Sequence, residues 1–195
     1  MADDGRIGEL IGDEGRRRDW RAFVAALHEV ASPGGPLEGW LFHGTCAGCA
    51  GLIADEGVTT TDCLVPDADG AWTWDQGTHW GTPKVAAFYA EDRIESRDDP
   101  GLELAIVAAR VSDLVPCGPF ATDGQTIDCP LYTRLERPAV GTDACWEASD
   151  KGWEACLDAF GTVVVLGPVG PWDLEVLRCA GDVEALVAAA SLPRP

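Results

Sequence analysis

Apolar side chains at Trp20, Phe23, Val24, Leu27 and Val30 recur every three or four positions in "RRRDWRAFVAALHEVA", residues 16–31. That spacing predicts an amphipathic helix, closed by the breaker run "SPGGP". Its basic start opposes the helix dipole, and His28 near the apolar face reads as a structural histidine. "EGWLFHGT" (38–45), continuously bulky at Trp40, Leu41 and Phe42, predicts a short strand. "CAGCAGLIADEG" (46–57) follows as a short helix stopped at Gly57. From Val58 to Gly77 turn-forming residues dominate, and a long loop carrying Trp72 and Trp74 is predicted. Loops of this length in compact domains are commonly functional.

Beyond the loop, "HW" (79–80) begins another strand, and Pro83 stands at the first helical position of "PKVAAFYAEDRI" (83–94). "LELAIVAARV" (102–111) is apolar almost throughout, as a central strand would be. Residues 112–145 read as irregular, and "WEASDKGWEACLDAF" (146–160) as helical in parts. "GTVVVLGPV" (161–169) is a buried strand, and "PWDLEVLRCAGDVEALVAAA" (171–190) one helix or two with a break at Gly181. Strands and helices are interspersed without a regular β-α-β alternation. The expected architecture is therefore α+β, a small, bent, mostly antiparallel sheet with flanking helices. Residues 1–36 form an N-terminal flank and 37–195 the domain proper.

Charge narrows the partners. Asp and Glu number 33 against 14 Lys and Arg, a net charge of -19, and Lys84 and Lys151 are the only lysines. Such a chain repels phosphate backbones, which disfavours general nucleic-acid binding. The acidic residues read as a solvated surface, with a salt-rich habitat or a basic protein partner as the sharper alternatives. No run of about 18 apolar residues is present, and the acidic start does not resemble an export signal, so the expected location is cytoplasmic, without a membrane span. The eight cysteines are then expected to be reduced thiols used in packing. Cys46 and Cys49 with Cys63 and His79 would be the one zinc set the spacing allows, and it is the disfavoured reading.

Two stretches carry candidate chemistry: "FHGT" at 42–45 and "GTHWGTPKVAAFYAED" at 77–92. Together they resemble the ADP-ribosyltransferase fold in its diphtheria-toxin-like, polymerase-type branch. There a first strand ends in His-Gly-Ser/Thr, a second in an aromatic residue, and the following helix supplies a Tyr. The resemblance covers about residues 38–110 and, more loosely, 146–178. It implies an enzyme that binds NAD+ as substrate, releases nicotinamide and passes ADP-ribose to a protein acceptor. By the same resemblance His43 would hydrogen-bond ribose hydroxyls and Thr45 would support the adenosine half. Tyr89 would stack on the nicotinamide ring, with Trp80 in the place usually held by a Tyr and Thr82 beside it. Physical chemistry suits these residue types. Aromatic walls attract a flat cationic ring by about 0.5–2 kcal/mol each, and Gly44 lets the backbone approach a carboxamide closely.

Cleaving the nicotinamide–ribose bond develops positive charge that a carboxylate stabilises. The resemblance implies a Glu at the start of the "TVVVLG" strand, where this chain has Gly161 and Thr162. Glu154 is the preferred substitute, with Asp158 and Glu147 as alternatives. Other readings are an NAD glycohydrolase effector using water, a silent NAD or ADP-ribose-binding module, and an acidic inhibitor protein. An RNA 2′-phosphotransferase, which shares the fold's ancestry, would need a cluster of Arg and Lys.

Overall fold

The computed structural model describes residues 7–124 and 152–192. Within them the chain runs α1 (Glu14–Val30), β1 (Trp40–Cys46), α2 (Ala47–Glu56), β2 (Thr61–Pro66), β3 (Trp72–Gly81), α3 (Pro83–Arg97), β4 (Leu104–Arg110), α4 (Val111–Leu114), β5 (Phe120–Ala121), α5 (Trp153–Phe160), β6 (Thr162–Val165), β7 (Glu175–Leu177) and α6 (Ala180–Ala190). The strands form one antiparallel sheet in the order β5-β6-β3-β1-β4-β7, with β2 paired to β3 off that path. This is the mixed, largely antiparallel α+β architecture that the hydrophobic pattern predicts.

The helices cover both faces of the sheet. On one face α1, α3 and α6 bring Trp20, Phe23, Leu27, Ala87, Ala90, Val183 and Leu186 onto Phe42, Ile106 and Ala108. On the other, Leu41, Trp80, Val107 and Val163 pack beneath Ala50 of α2. Every residue of β4 from Leu104 to Ala109 is buried, because helices lie on both sides of it. The α1 helix starts earlier than its periodicity implies. Asp13 caps it by accepting from the Arg16 N–H at 2.8 Å, and Glu14 in the first turn offsets the unfavourable basic start. Glu91 of α3 then ties this flank down: its carboxylate accepts from Trp20 Nε1–H and the Gly8 N–H, both at 2.8 Å. Burial pushes that carboxyl up to about 7, against the two hydrogen bonds.

Two segments differ from the sequence-based expectation. The stretch 58–77 is not a long loop; most of it is a β-hairpin in which Thr61–Pro66 pairs residue by residue with Trp72–Gly77. Its turn is closed by the Asp67 side chain, which accepts from the Asp69 and Ala71 N–H groups. The C-terminal region is also not continuous helix. Glu175–Leu177 pairs with β4 as an edge strand, and α6 begins only after Cys179, with Gly181 inside its first turn.

The sheet is split at its centre. β1 pairs along its whole length with β4, but with β3 it shares only the register Phe42↔Gly81. From that point the two strands diverge, and α3 lies directly across β1. A Cβ built on Gly44 would sit 1.7 Å from the carbonyl oxygen of Ala86. No rotamer change relieves a clash with backbone, so this close approach requires glycine. Gly44→Ala should therefore lower stability by more than the roughly 1–3 kcal/mol of ordinary overpacking. Urea unfolding checks this; an unchanged midpoint would show that α3 does not seat on β1 as described.

Candidate functional site

The split between β1 and β3 is a cleft of about 240 Å³. Phe42, His43 and Gly44 line it from β1, Thr78, His79 and Trp80 from β3, and Val85, Ala86, Tyr89, Asp92 and Arg93 from α3. Val58, Thr59 and Thr61 close it from the segment entering the hairpin, and Thr162 from β6. Pro83 at the start of α3 sets the helix immediately after β3 ends, so that Tyr89 is carried back over the cleft.

His43 spans the split. Its Nδ1–H donates to the His79 carbonyl at 2.9 Å, which leaves Nε2 with its lone pair as the nitrogen available to a ligand. Burial pulls the His43 pKa down to about 4, opposed by that backbone hydrogen bond and reinforced by the positive charges of His79 and Arg93. The ring is therefore neutral across the physiological range. It lies 5.7 Å from the Trp80 ring, which is buried to 1% exposure and donates Nε1–H to Thr78 Oγ1 at 2.9 Å.

His79 is the opposite case. Nδ1 donates to Asp123 Oδ2 at 2.9 Å and Nε2 faces Cys63 Sγ at 3.2 Å. Burial lowers the ring's pKa, but the Asp123 carboxylate, by charge and hydrogen bond, and the Cys63 sulfur outweigh it and raise it to about 10. An imidazolium donating from both nitrogens fits these contacts, since the Cys63 thiol in turn donates to the Thr61 carbonyl at 3.4 Å. Asp123 is 0% exposed and also accepts from Thr162 Oγ1 at 2.7 Å. A Cys63–His79–Asp123–Thr162 chain thus runs beneath the cleft, and of its four members His79 and Thr162 line it. The His79 ring faces Tyr89, centroids 6.2 Å apart.

Among the residues singled out by sequence, His43, Gly44, Trp80 and Tyr89 share this cleft. Thr45 and Thr82 do not line it. Thr45 is buried at 2% exposure, and Thr82 is the N-cap of α3, with a buried Oγ1 that has no partner. Glu154 is not folded back over the cleft; it is exposed in the first turn of α5, as is Asp158 further along that helix. Glu147 lies outside the described residues. His79, Asp92, Arg93, Asp123 and Thr162 are site residues that motif reasoning missed as such. His79 stands next to Trp80 in the quoted motif, and that adjacency was the one signal available for it. The zinc set divides in two: Cys63 meets His79, whereas Cys46 meets Cys49. Among the described residues no group of three or more His, Cys, Asp or Glu is arranged to hold a metal ion, and no helix is long and apolar enough to cross a membrane.

The chain gives no match to protein-family models, to curated proteins or to solved structures.

The opposed histidines have a pH signature. A group raised in the folded state, as His79 is, stabilises fully below its unfolded pKa of 6.5, and that stability is lost as pH rises toward about 10. Asp123→Asn should cost about 3–5 kcal/mol at the acid end of that window, as breaking a buried pair does. The difference in unfolding free energy between wild type and variant should shrink from pH 6.5 to 10. A difference independent of pH would mean that the ring is not held protonated by Asp123.

Proposed function

We propose that the protein is an NAD+-consuming ADP-ribosyltransferase whose cleft takes the nicotinamide–ribose half of NAD+. The observation that carries this reading is the meeting of His43, Gly44, Trp80 and Tyr89 in one cleft, although they come from two strands and a helix. About 240 Å³ is at the small end of ligand clefts, which span roughly 300–1,000 Å³, and suits one end of a longer molecule.

Each lining group has a matching part of the ligand. Beyond Phe42 the edge of β1 facing β3 has no strand partner among the described residues, so its backbone can pair with a carboxamide, which offers both a donor and an acceptor. Tyr89 provides a ring for stacking, with Trp80 as the buried wall behind His43. Neutral His43 accepts a ribose hydroxyl at Nε2. Thr162 stands where the resemblance implies a Glu; its proton goes to Asp123, which leaves Oγ1 to accept from a hydroxyl of the same ribose. The imidazolium of His79 does not repel the cationic ring outright, because Asp123 neutralises it at 2.9 Å. Arg93 supplies the positive charge suited to a pyrophosphate.

In the reaction the C1′–N bond breaks and its electron pair leaves with nicotinamide, which becomes neutral. The oxocarbenium-like ribose is then attacked by an acceptor nucleophile, which loses its proton. Asp92 is the carboxylate that lines the cleft, one helical turn beyond Tyr89, and it takes the role expected of Glu154. The acidic surface favours a basic protein acceptor. A silent binding module is the second reading, favoured by the complete burial of Asp123 behind Thr162.

Nicotinamide release from NAD+, with and without cell extract, tests the proposal. Asp92→Asn should lower turnover about 10²–10³-fold, the typical loss for one electrostatic stabiliser, with NAD+ affinity nearly unchanged. Tyr89→Ala and His43→Ala should weaken binding itself, and Glu154→Gln should behave as wild type. Calorimetric binding without turnover would select the binding module; no binding at all would end both readings.

A further inference from the structure

Away from the cleft's opening, β1 runs out at Cys46 and α2 begins at Ala47. Cys46 is the N-cap of this ten-residue helix, and its sulfur accepts from the Cys49 N–H at 3.3 Å. The two sulfurs are 2.7 Å apart, with the Cys46 thiol donating to Cys49 Sγ. That is closer than sulfurs of unrelated thiols approach, and the spacing is the C-x-x-C at a helix start that favours thiolate chemistry. A cation completes the group. Arg97, at the far end of α3, donates from Nη2 to Cys49 Sγ at 3.3 Å. The Cys46 thiol holds the Cys49 thiol below the ordinary range; burial opposes it, and the Arg97 guanidinium and Thr45 add to the lowering.

Accessibility divides the labour between the sulfurs. Cys46 is buried at 2% exposure, whereas Cys49 is partly exposed. Gly48 and Gly51 leave open space over the first turn, where a Cβ would meet nothing within 4 Å. A disulfide-bearing molecule can therefore reach Cys49 but not Cys46.

We propose that Cys46 and Cys49 are a redox-active dithiol that exchanges with disulfides, Cys49 attacking and Cys46 resolving. The Cys49 thiolate attacks one sulfur of a low-molecular-mass disulfide and expels a thiolate, leaving a mixed disulfide. Cys46 passes its proton to the first leaving thiolate, attacks the Cys49 sulfur and expels the second thiolate, which takes from solvent the proton that Cys49 gave up on ionising. Two electrons pass from the protein dithiol to the disulfide, which ends as two thiols. This chemistry is independent of whatever ligand the cleft takes.

The test equilibrates the full chain with mixtures of reduced and oxidised glutathione, followed by acid quench, alkylation with N-ethylmaleimide and peptide mass mapping. The expected result is a peptide carrying Cys46 and Cys49 that escapes alkylation and is lighter by two hydrogens, fully reversible with dithiothreitol. Cys46→Ser should accumulate glutathione on Cys49, and Arg97→Ala should slow alkylation of Cys49 at neutral pH several-fold. Alkylation of both thiols at every glutathione ratio, or a disulfide from either to another cysteine, would overturn the proposal. The wild-type map decides this alone should either variant fail to fold.

Discussion

The charge-assisted hydrogen bond between His79 and Asp123 is the contact around which the centre of the protein is organised. It ties β3 to the segment following β5, and because Asp123 also accepts from Thr162 it ties in β6. The carbonyl of the same His79 holds the His43 ring across the gap from β1. One residue of β3 thus fixes two further surfaces of the cleft, β6 through its side chain and Asp123, and β1 through its backbone. A buried carboxylate as deep as Asp123 is tolerated only when paired and hydrogen-bonded, and here it has both a cation and a hydroxyl.

This arrangement explains how two histidines on neighbouring strands hold opposite protonation states. His79 has a carboxylate at one nitrogen and a sulfur at the other, so it carries the charge. His43 is buried beside the positive charges of His79 and Arg93 with a backbone carbonyl alone to favour the proton, so it does not. A charged and a neutral imidazole in one cleft supply a fixed cation balanced by its own counter-ion and a free acceptor. That pairing suits a ligand with hydroxyls and a delocalised charge better than it suits a bare anion. The large negative charge of the whole chain acts at longer range than these contacts.

The end of β1 carries the Cys46–Cys49 pair a few residues from the cleft. His43 and Gly44 face the cleft, while Cys46 and Cys49 turn the chain into α2 under the end of α3. The α3 helix contacts both, with Tyr89 and Asp92 at the cleft and Arg97 at the dithiol. Its close seat on Gly44 makes this sharing possible, because nothing larger than a hydrogen separates the two backbones there.

Much of the architecture was legible because it is written in local periodicity. The apolar faces of α1 and α3, the bulky Trp40–Phe42 start of β1 and the apolar runs of β4 and β6 are properties of neighbouring residues. The pairing of the His-Gly-Thr strand with the aromatic strand and the Tyr-bearing helix was also visible, as a set of residue types in order. The hairpin was not legible. Its strands present Asp62, Trp74 and Asp75 to solvent, and their turn residues outweigh a weak alternation. Nor was β7, a three-residue edge whose extended form comes from pairing with β4. The Cys63–His79–Asp123–Thr162 chain and the position of Asp92 in the cleft lining were decided by tertiary structure alone. Which polar groups meet depends on where the sheet splits, and that follows from a helix docking onto one glycine, a long-range event that no local pattern encodes.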